Sequence, residues 1–152
     1  MTMVQGQWFS PGTDLSTVLP LREAVFQQGA DARDAISWNV RVDQNGQPVA
    51  AGRIWWEEGA YRLGSIGVLP SFRNLGLGDL VLRLLLFKAQ NHSAREVRLS
   101  ASPDVSAFFA RLGFRPDPTA DDPGEMVLPG NEIDLDTCKS CPRQDCPKRS
   151  EG

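Results

Sequence analysis

The stretch Ile66-Gly67-Val68-Leu69-Pro70-Ser71-Phe72-Arg73-Asn74-Leu75-Gly76-Leu77-Gly78 decides the fold of this chain. An apolar strand runs into Pro70. A loop then carries Arg-x-x-Gly-x-Gly, and a Leu-rich helix opens directly after it. Successive backbone N–H groups at such a helix start form an anion cradle, and the helix dipole adds positive potential. Gly76 and Gly78 let the backbone approach the anion where a Cβ would collide. The expected guest is a pyrophosphate.

Two better-known phosphate loops do not fit. A dinucleotide fingerprint needs Gly-x-Gly-x-x-Gly and an acidic ribose ligand about 20 residues on. Here there are two glycines, and Asp104 comes too late. A P-loop needs Gly-Lys-Ser/Thr, but Asp79 follows Gly78. A Gly-rich turn that merely joins strand to helix is the plainer alternative. Val68-x-Pro70, Arg73 and the helix that follows weigh against it.

Outward from this loop, the pattern alternates strands and helices. Val4 to Phe9 reads as a first strand. Asp14 is a candidate N-cap for an apolar stripe from Leu15 to Phe26, ending near Gly29. Pro20 is awkward inside that helix, and a helix whose first turn holds Pro20 is the alternative. Asp31 and Asp34 fall in a short acidic linker. Trp38, Val40 and Val42 alternate with polar residues as a strand, and Asn45-Gly46 signals a hairpin. Val49 to Trp56 returns, Glu58-Gly59 turns again, and Tyr61 to Leu69 forms the central strand. A helix follows from Asp79 to about Asn91, then a strand over Val97–Ala101. Ser102 or Asp104 can cap a helix through Leu112, which Gly113 ends. Phe114 starts another strand, 117–124 is a loop, and 126–128 is a last strand. The resulting order, β–α–β–β–β–α–β–α–β–β, is an α/β fold with a mixed sheet flanked by helices.

Composition narrows the function classes. The chain has 152 residues, 41% hydrophobic and 23% charged, which suits one globular domain. A net charge of -3 gives no basic field for nucleic acid. No apolar run is long enough to span a bilayer. Met1 to Gln5 lacks a charged n-region and an apolar h-region, so no secretory signal is expected. All three cysteines lie between Cys138 and Cys146 and cannot all pair, which fits a reducing cytoplasm better than a disulfide scaffold. Residues 1–129 are expected to form the domain and 130–152 a Cys-containing C-terminal tail. Cys138-x-x-Cys141-x4-Cys146 supplies three of the four ligands that zinc usually takes, with no His nearby. These are weak metal candidates, and free thiols are the simpler reading. Ile133 and Leu135 are apolar and could dock as an extra edge strand or at a homodimer contact.

The glycine loop, in this setting, resembles the acyl-coenzyme A motif of the GCN5-related N-acetyltransferases (GNAT). The resemblance covers roughly residues 4–128. Leu21-Arg22-Glu23-Ala24-Val25-Phe26-Gln27-Gln28, then Asp31-Ala32-Arg33-Asp34, is similar to the ElaA/YjcF-like branch. Leu99-Ser100-Ala101 and Phe108-Phe109-Ala110-Arg111-Leu112-Gly113-Phe114 resemble the second coenzyme segment. The resemblance implies an acyl-CoA N-acyltransferase fold. It also implies an enzyme that moves acetyl from acetyl-CoA, as co-substrate, to a primary amine of a small molecule or protein. No metal, nucleic acid or membrane is implied. The expected coenzyme-binding residues are Ile66, Gly67, Val68, Arg73, Asn74, Leu75, Gly76, Leu77, Gly78, Asp79, Ser102 and Phe109. The resemblance makes the Val68 backbone N–H the oxyanion donor.

Three departures bear on the chemistry. Phe109 stands where the family commonly has the Tyr that protonates the leaving thiolate. The only His is His92, whereas the branch often carries several. Arg62 stands about where many members place a Glu base. Glu57 and Glu58 are the remaining base candidates, with solvated turn residues as the plainer reading, and a water relay would serve equally. Tyr61, the only tyrosine, lies at the far end of the central strand from the loop. Of Trp55 and Trp56, one must pack inward and the other face out. Asp31, Asp34, Glu57 and Glu58 could form an acidic mouth for a cationic amine, or be scattered surface charge. A non-catalytic acyl-CoA-binding module is the alternative function.

Overall fold

A computed structural model describes residues 3–26, 31–133 and 135. The described elements follow the predicted order: β1 (Val4–Phe9), α1 (Leu19–Phe26), β2 (Trp38–Gln44), β3 (Gln47–Glu57), β4 (Ala60–Val68), α2 (Leu77–Asn91), β5 (Glu96–Ser100), α3 (Ser106–Ala110), β6 (Arg115–Pro116) and β7 (Glu125–Pro129). The chain divides into two compact units, Met1–Leu85 and Leu86–Gly152.

In the first unit, β1 to β4 form an antiparallel meander in chain order. Both tight turns arise from local chemistry. Asn45 and Gly46 sit at φ 53° and 82°, and Glu58 and Gly59 at 52° and 83°. Two successive left-handed residues match the twist of the flanking strands. The meander is covered on both faces. On one, Leu15, Val18 and Leu21 cluster with Ala51 of β3. On the other, a Cβ at Gly52 would lie 2.8 Å from a Val81 methyl and 2.9 Å from a Leu85 methyl. Gly52 therefore sets how closely α2 rests on the strands. β4 carries a bulge here: Ala51 pairs with Gly67 but Arg53 with Gly64, leaving Ser65 and Ile66 opposite Gly52 alone. Ser65 takes up the extra residue at φ 51°.

Two expectations in this unit need correcting. The first helix begins at Leu19, not after Asp14. Asp14 accepts the Ser16 N–H at 2.9 Å in a separate turn, and Pro20 sits in the first helical turn, where its missing N–H costs nothing. The acidic linker is an ordered 3-10 turn, Ala32–Ala35, closed by a capping box between Asp31 and Asp34. Its carboxylates are drawn in by two arginines with 3% and 2% exposure, Arg22 and Arg53. Arg22 makes a fork on Asp34 (2.9 and 3.0 Å) and reaches Asn39 Oδ1 at 2.8 Å. Arg53 makes a fork on Asp31 (2.7 and 2.8 Å). This cluster joins α1, the 3-10 turn, β2 and β3. Removing one partner of such a buried pair costs about 3–5 kcal/mol, because the other charge is stranded.

In the second unit, β7 lies between β5 and β6, antiparallel to both. Leu99, Leu112, Phe114 and Leu128 are its buried centre. Neither Ser102 nor Asp104 caps α3 with its side chain. Val105 is the N-cap with no side-chain bond, and the Ser102 hydroxyl donates to Asp104 instead. The Ser102 carbonyl accepts the Ser106 N–H at 3.1 Å. Gly113, at φ 104°, ends the segment as expected. Beyond Pro129 the chain continues through a 3-10 turn, Gly130–Glu132, to Ile133, which is 8% exposed. Gly130 N–H donates to the Arg95 carbonyl at 2.8 Å, and a Cβ on Gly130 would collide with the Ala94 carbonyl. Cys138, Cys141 and Cys146 lie outside the described residues. No described helix is long and apolar enough to cross a membrane.

Candidate coenzyme site

The glycine loop is built from the end of β4 upward. Leu69 N–H donates to the Val49 carbonyl at 2.8 Å, the last bond of the ladder to β3. Pro70 then opens a single 3-10 turn, Pro70–Phe72. Asn74 follows at φ 66° and Gly76 at φ 80°. These two left-handed residues lead the chain into the start of a helix, where free backbone amides can receive an anion. α2 begins at Leu77. Leu80 N–H is bonded to the Gly76 carbonyl at 3.0 Å, so the amides of Leu77, Gly78 and Asp79 open the helix toward its N-terminal end. The Gly76 Cα faces open space, with nothing within 4 Å of an added Cβ.

The charge at the loop is partly compensated within α2. Asp79, in the first turn of α2, would repel an anion. Arg83 Nε, one turn on, donates to Asp79 at 2.7 Å and offsets that charge. The sequence reading overlooks Arg83; its i,i+4 spacing from Asp79 was the available signal. Arg73 is exposed and its Nε–H donates to the Val68 carbonyl at 3.1 Å. The Ile66 side chain is directed at β3, 3.3 Å from the Cβ position of Gly52. Leu75 is exposed and Leu77 buried.

The backbone of Val68 is turned away from β3. Because Leu69 N–H points at β3, the N–H and carbonyl of Val68 project the other way, off the opposite edge of β4. The two glutamates stand elsewhere. Glu57 pairs across the strand with Ala60, eight residues from Val68, which is roughly 26 Å of strand. Glu57 is held by Arg62 (3.7 Å), Arg33 (3.8 Å) and the Trp55 indole N–H (3.3 Å). Glu58 is an exposed left-handed turn residue. The spacing does not bring either to Val68.

The acidic mouth does not form either. Asp31 and Asp34 are committed to Arg53 and Arg22. The Arg53 hydrogen bonds hold Asp31 down to about 2 against an ordinary 3.8. Burial pushes Asp34 upward, but the Arg22 hydrogen bonds, the Asp31 N–H and the charges of Arg22 and Arg53 together outweigh it and leave the carboxyl lowered. The tryptophans divide as expected: Trp55 is buried against Arg33 and Arg53, each 5.2 Å from its ring, while Trp56 is 54% exposed and edge-on to Tyr61 at 5.0 Å.

In the second unit, Phe109 is 8% exposed between Phe108 and Phe114, with ring centres 5.1 and 6.1 Å away. Its surroundings are those of a packing residue. Ser102 lines a cleft together with Ser100 and Ser106.

The model of the acetyltransferase (GNAT) family matches residues 5–114. The chain belongs to the GNAT family. Among relatives, the N-acetyltransferase YjcF of Bacillus subtilis is 30% identical over 103 residues, covering 62% of this GNAT chain and 74% of the relative. An N-acetyltransferase ycf52 of Pyropia yezoensis is 31% identical over 84 residues, 55% of this chain, and the match spans about half of that relative (48%). Among solved structures, Escherichia coli ElaA superposes with a TM-score of 0.68 at 22% identity, covering 82% of this chain and 97% of its own. A GNAT protein of Elizabethkingia anophelis with acetyl-CoA bound gives 0.65 at 13% identity, over 83% and 97%. The fold is therefore that of the acyl-CoA N-acyltransferases. Membership of the GNAT family agrees with the resemblance read from the glycine loop.

Proposed function

We propose that the chain is an acetyl-CoA-dependent N-acetyltransferase that moves acetyl to a primary amine of a small molecule or protein by direct attack. The observation that carries this reading is the turn from Asn74 to Leu77. Its left-handed residues and the open face of Gly76 form an amide cradle at the start of α2, suited to the coenzyme pyrophosphate. Asn74, Leu75, Gly76, Leu77, Gly78 and Asp79 would hold it by backbone N–H groups, with Arg73 at the rim.

The amine nitrogen attacks the thioester carbonyl carbon. A C–N bond forms, the carbonyl electrons move to oxygen, and the oxyanion takes the outward N–H of Val68. Collapse breaks the C–S bond. The nitrogen gives up a proton and the departing sulfur gains one, so the products are an N-acetyl amine and coenzyme thiol. A lysine-like amine has a pKa of about 10, so its deprotonation is a real cost at neutral pH. With Glu57 and Glu58 at the other end of the hairpin, water carries the proton in this reading. Positioning of the two substrates supplies much of the rate.

The test is a panel of amines with acetyl-CoA, followed by thiol release and by mass spectrometry of the products. Release that depends on an amine, with a product heavier by one acetyl group, supports the proposal. One feature favours a second reading, a non-catalytic acyl-CoA-binding module: Phe109 has no proton to give. Tight acetyl-CoA binding with no thiol release across the panel would establish that module.

A further inference from the structure

The arginine cluster under α1 holds two donors that none of its own acceptors uses. Among the described residues, neither Arg53 Nε nor Asn39 Nδ2 has a hydrogen-bond partner. Both side chains are sealed from solvent, at 2% and 1% exposure. An N–H group buried without an acceptor carries its full desolvation cost, so such groups are rare and need an account. Here two of them occur together.

The strand register puts both donors at one place. Asn39 of β2 lies directly opposite Arg53 of β3, so the two side chains leave the same face of the sheet with Cβ atoms about 4.5–5.5 Å apart. That face belongs to α1, whose Arg22 reaches Asn39 Oδ1 at 2.8 Å. Both groups are held in orientation. Arg53 spends Nη1 and Nη2 on Asp31, and Nη1 again on Asp34 at 3.1 Å. A guanidinium is a rigid planar fork, so fixing its Nη end also fixes the direction of Nε–H along the side edge. The Asn39 amide cannot turn over to become an acceptor there, because Oδ1 is the atom that receives Arg22.

We propose that one internal water molecule accepts from Arg53 Nε–H and Asn39 Nδ2–H and bridges β2 to β3 under α1. Three properties select it. The guest must take two hydrogen bonds at one atom, which an oxygen with two lone pairs does. It must be neutral: Arg22 and Arg53 are already matched by Asp34 and Asp31, so a third anion would be buried with no charge to balance it. It must be small enough to lie wholly inside, since neither side chain reaches the surface. Buried waters ordinarily make about three hydrogen bonds, to polar groups that are otherwise unpaired. The bridge gives Asn39 two tasks that an acid of the same shape cannot share, acceptor toward Arg22 and donor toward the water.

Two measurements on the full chain test the bridge. In protein carrying isotope-labelled arginine, the Arg53 Nε–H should give a cross peak to the water resonance with opposite signs in NOE and ROE spectra. That sign pattern marks a held water, whereas proton exchange gives the same sign in both. The exposed Arg115 serves as the reference for surface exchange. Asn39→Asp should lose the cross peak, because the new side chain has no N–H to share and can itself accept from Arg53 Nε–H. A high-resolution crystal structure of the wild type should place one ordered water within about 3.2 Å of both nitrogens; this arm decides the matter if Asn39→Asp does not fold. A protein oxygen in that position, no ordered water there, or a cross peak that persists unchanged in folded Asn39→Asp would each overturn the bridge.

Discussion

Arg73 and Val49 hold the two ends of one peptide unit. The Val68 carbonyl accepts Arg73 Nε–H at 3.1 Å, and the N–H on the other side of that peptide, at Leu69, donates to the Val49 carbonyl at 2.8 Å. The last peptide of β4 is thereby pinned beside the Val68 amide, the proposed oxyanion donor. Arg73→Ala should lower kcat by about tenfold through misplacement of that amide, with a smaller change in KM for acetyl-CoA. Arg73→Lys, which can still donate to the carbonyl, should recover part of the loss. Steady-state kinetics of the three proteins checks this, and an unchanged kcat in Arg73→Ala would show the brace to be idle.

Gly76→Glu should abolish acetyl-CoA binding, reducing affinity by about a hundredfold or more, because it adds bulk and a like charge to an amide cradle. The fold should survive. The added Cβ meets nothing within 4 Å, and the left-handed backbone costs a side chain only about 1–2 kcal/mol. Calorimetry and thermal melting of the same sample separate the two effects.

Phe109→Tyr should leave turnover similar or raise it. A benzene ring cannot titrate, so any turnover must protonate sulfur by another route, and a phenol offers an additional one. The measurement is kcat across pH 6 to about 10, bracketing the phenol's ordinary value. A collapse of kcat with folding and coenzyme affinity intact would contradict the packing role.

Acid should unfold this protein partly through Asp31. Its folded value, about 2, lies below the ordinary 3.8, so the folded state binds the proton less readily than the unfolded one. Its contribution is complete above pH ~4 and disappears as pH falls toward ~2. The gap between urea melts of the wild type and of Asp31→Asn should narrow progressively from pH 7 through 4 to 2.5. A difference that stays constant would assign the loss to other groups.

Truncation should be tolerated after Leu135 but not before Ile133. Burying an Ile side chain is worth about 1.5–3 kcal/mol, and Ile133 is 8% exposed. In a domain of this size each kcal/mol moves Tm by roughly 2–4 °C. Chains ending at Gly130 and at Leu135 should therefore differ by several degrees, with the longer one close to the full protein.

The element order is legible in the sequence because its punctuation is strong. Asn45-Gly46 and Glu58-Gly59 specify turns whatever surrounds them, and the glycine loop can only lie between a strand and a helix. The Arg22–Asp34 and Arg53–Asp31 pairs are not legible as pairs. Charged residues read as surface by default, and each of these meets its partner 12 or 22 positions away. The place of Glu57 escapes for another reason: only the strand register, with its bulge at Ser65, converts a sequence position into a distance from Val68.

The two tight turns also bear on the order in which the chain assembles. β2, β3 and β4 follow one another with two-residue connections, so each hairpin can close on the scale of about 1–10 μs without waiting for any distant segment. β1 has no such neighbour. It pairs with β2 only after α1 and the arginine-clamped turn have been threaded between them, and that longer closure carries the greater entropic cost. The three-strand meander that carries Val68 is thus expected to form first, with the outer strand arriving last. Hydrogen-exchange pulse labelling during refolding would read that sequence of events directly, as early protection in β2–β4 and late protection in β1.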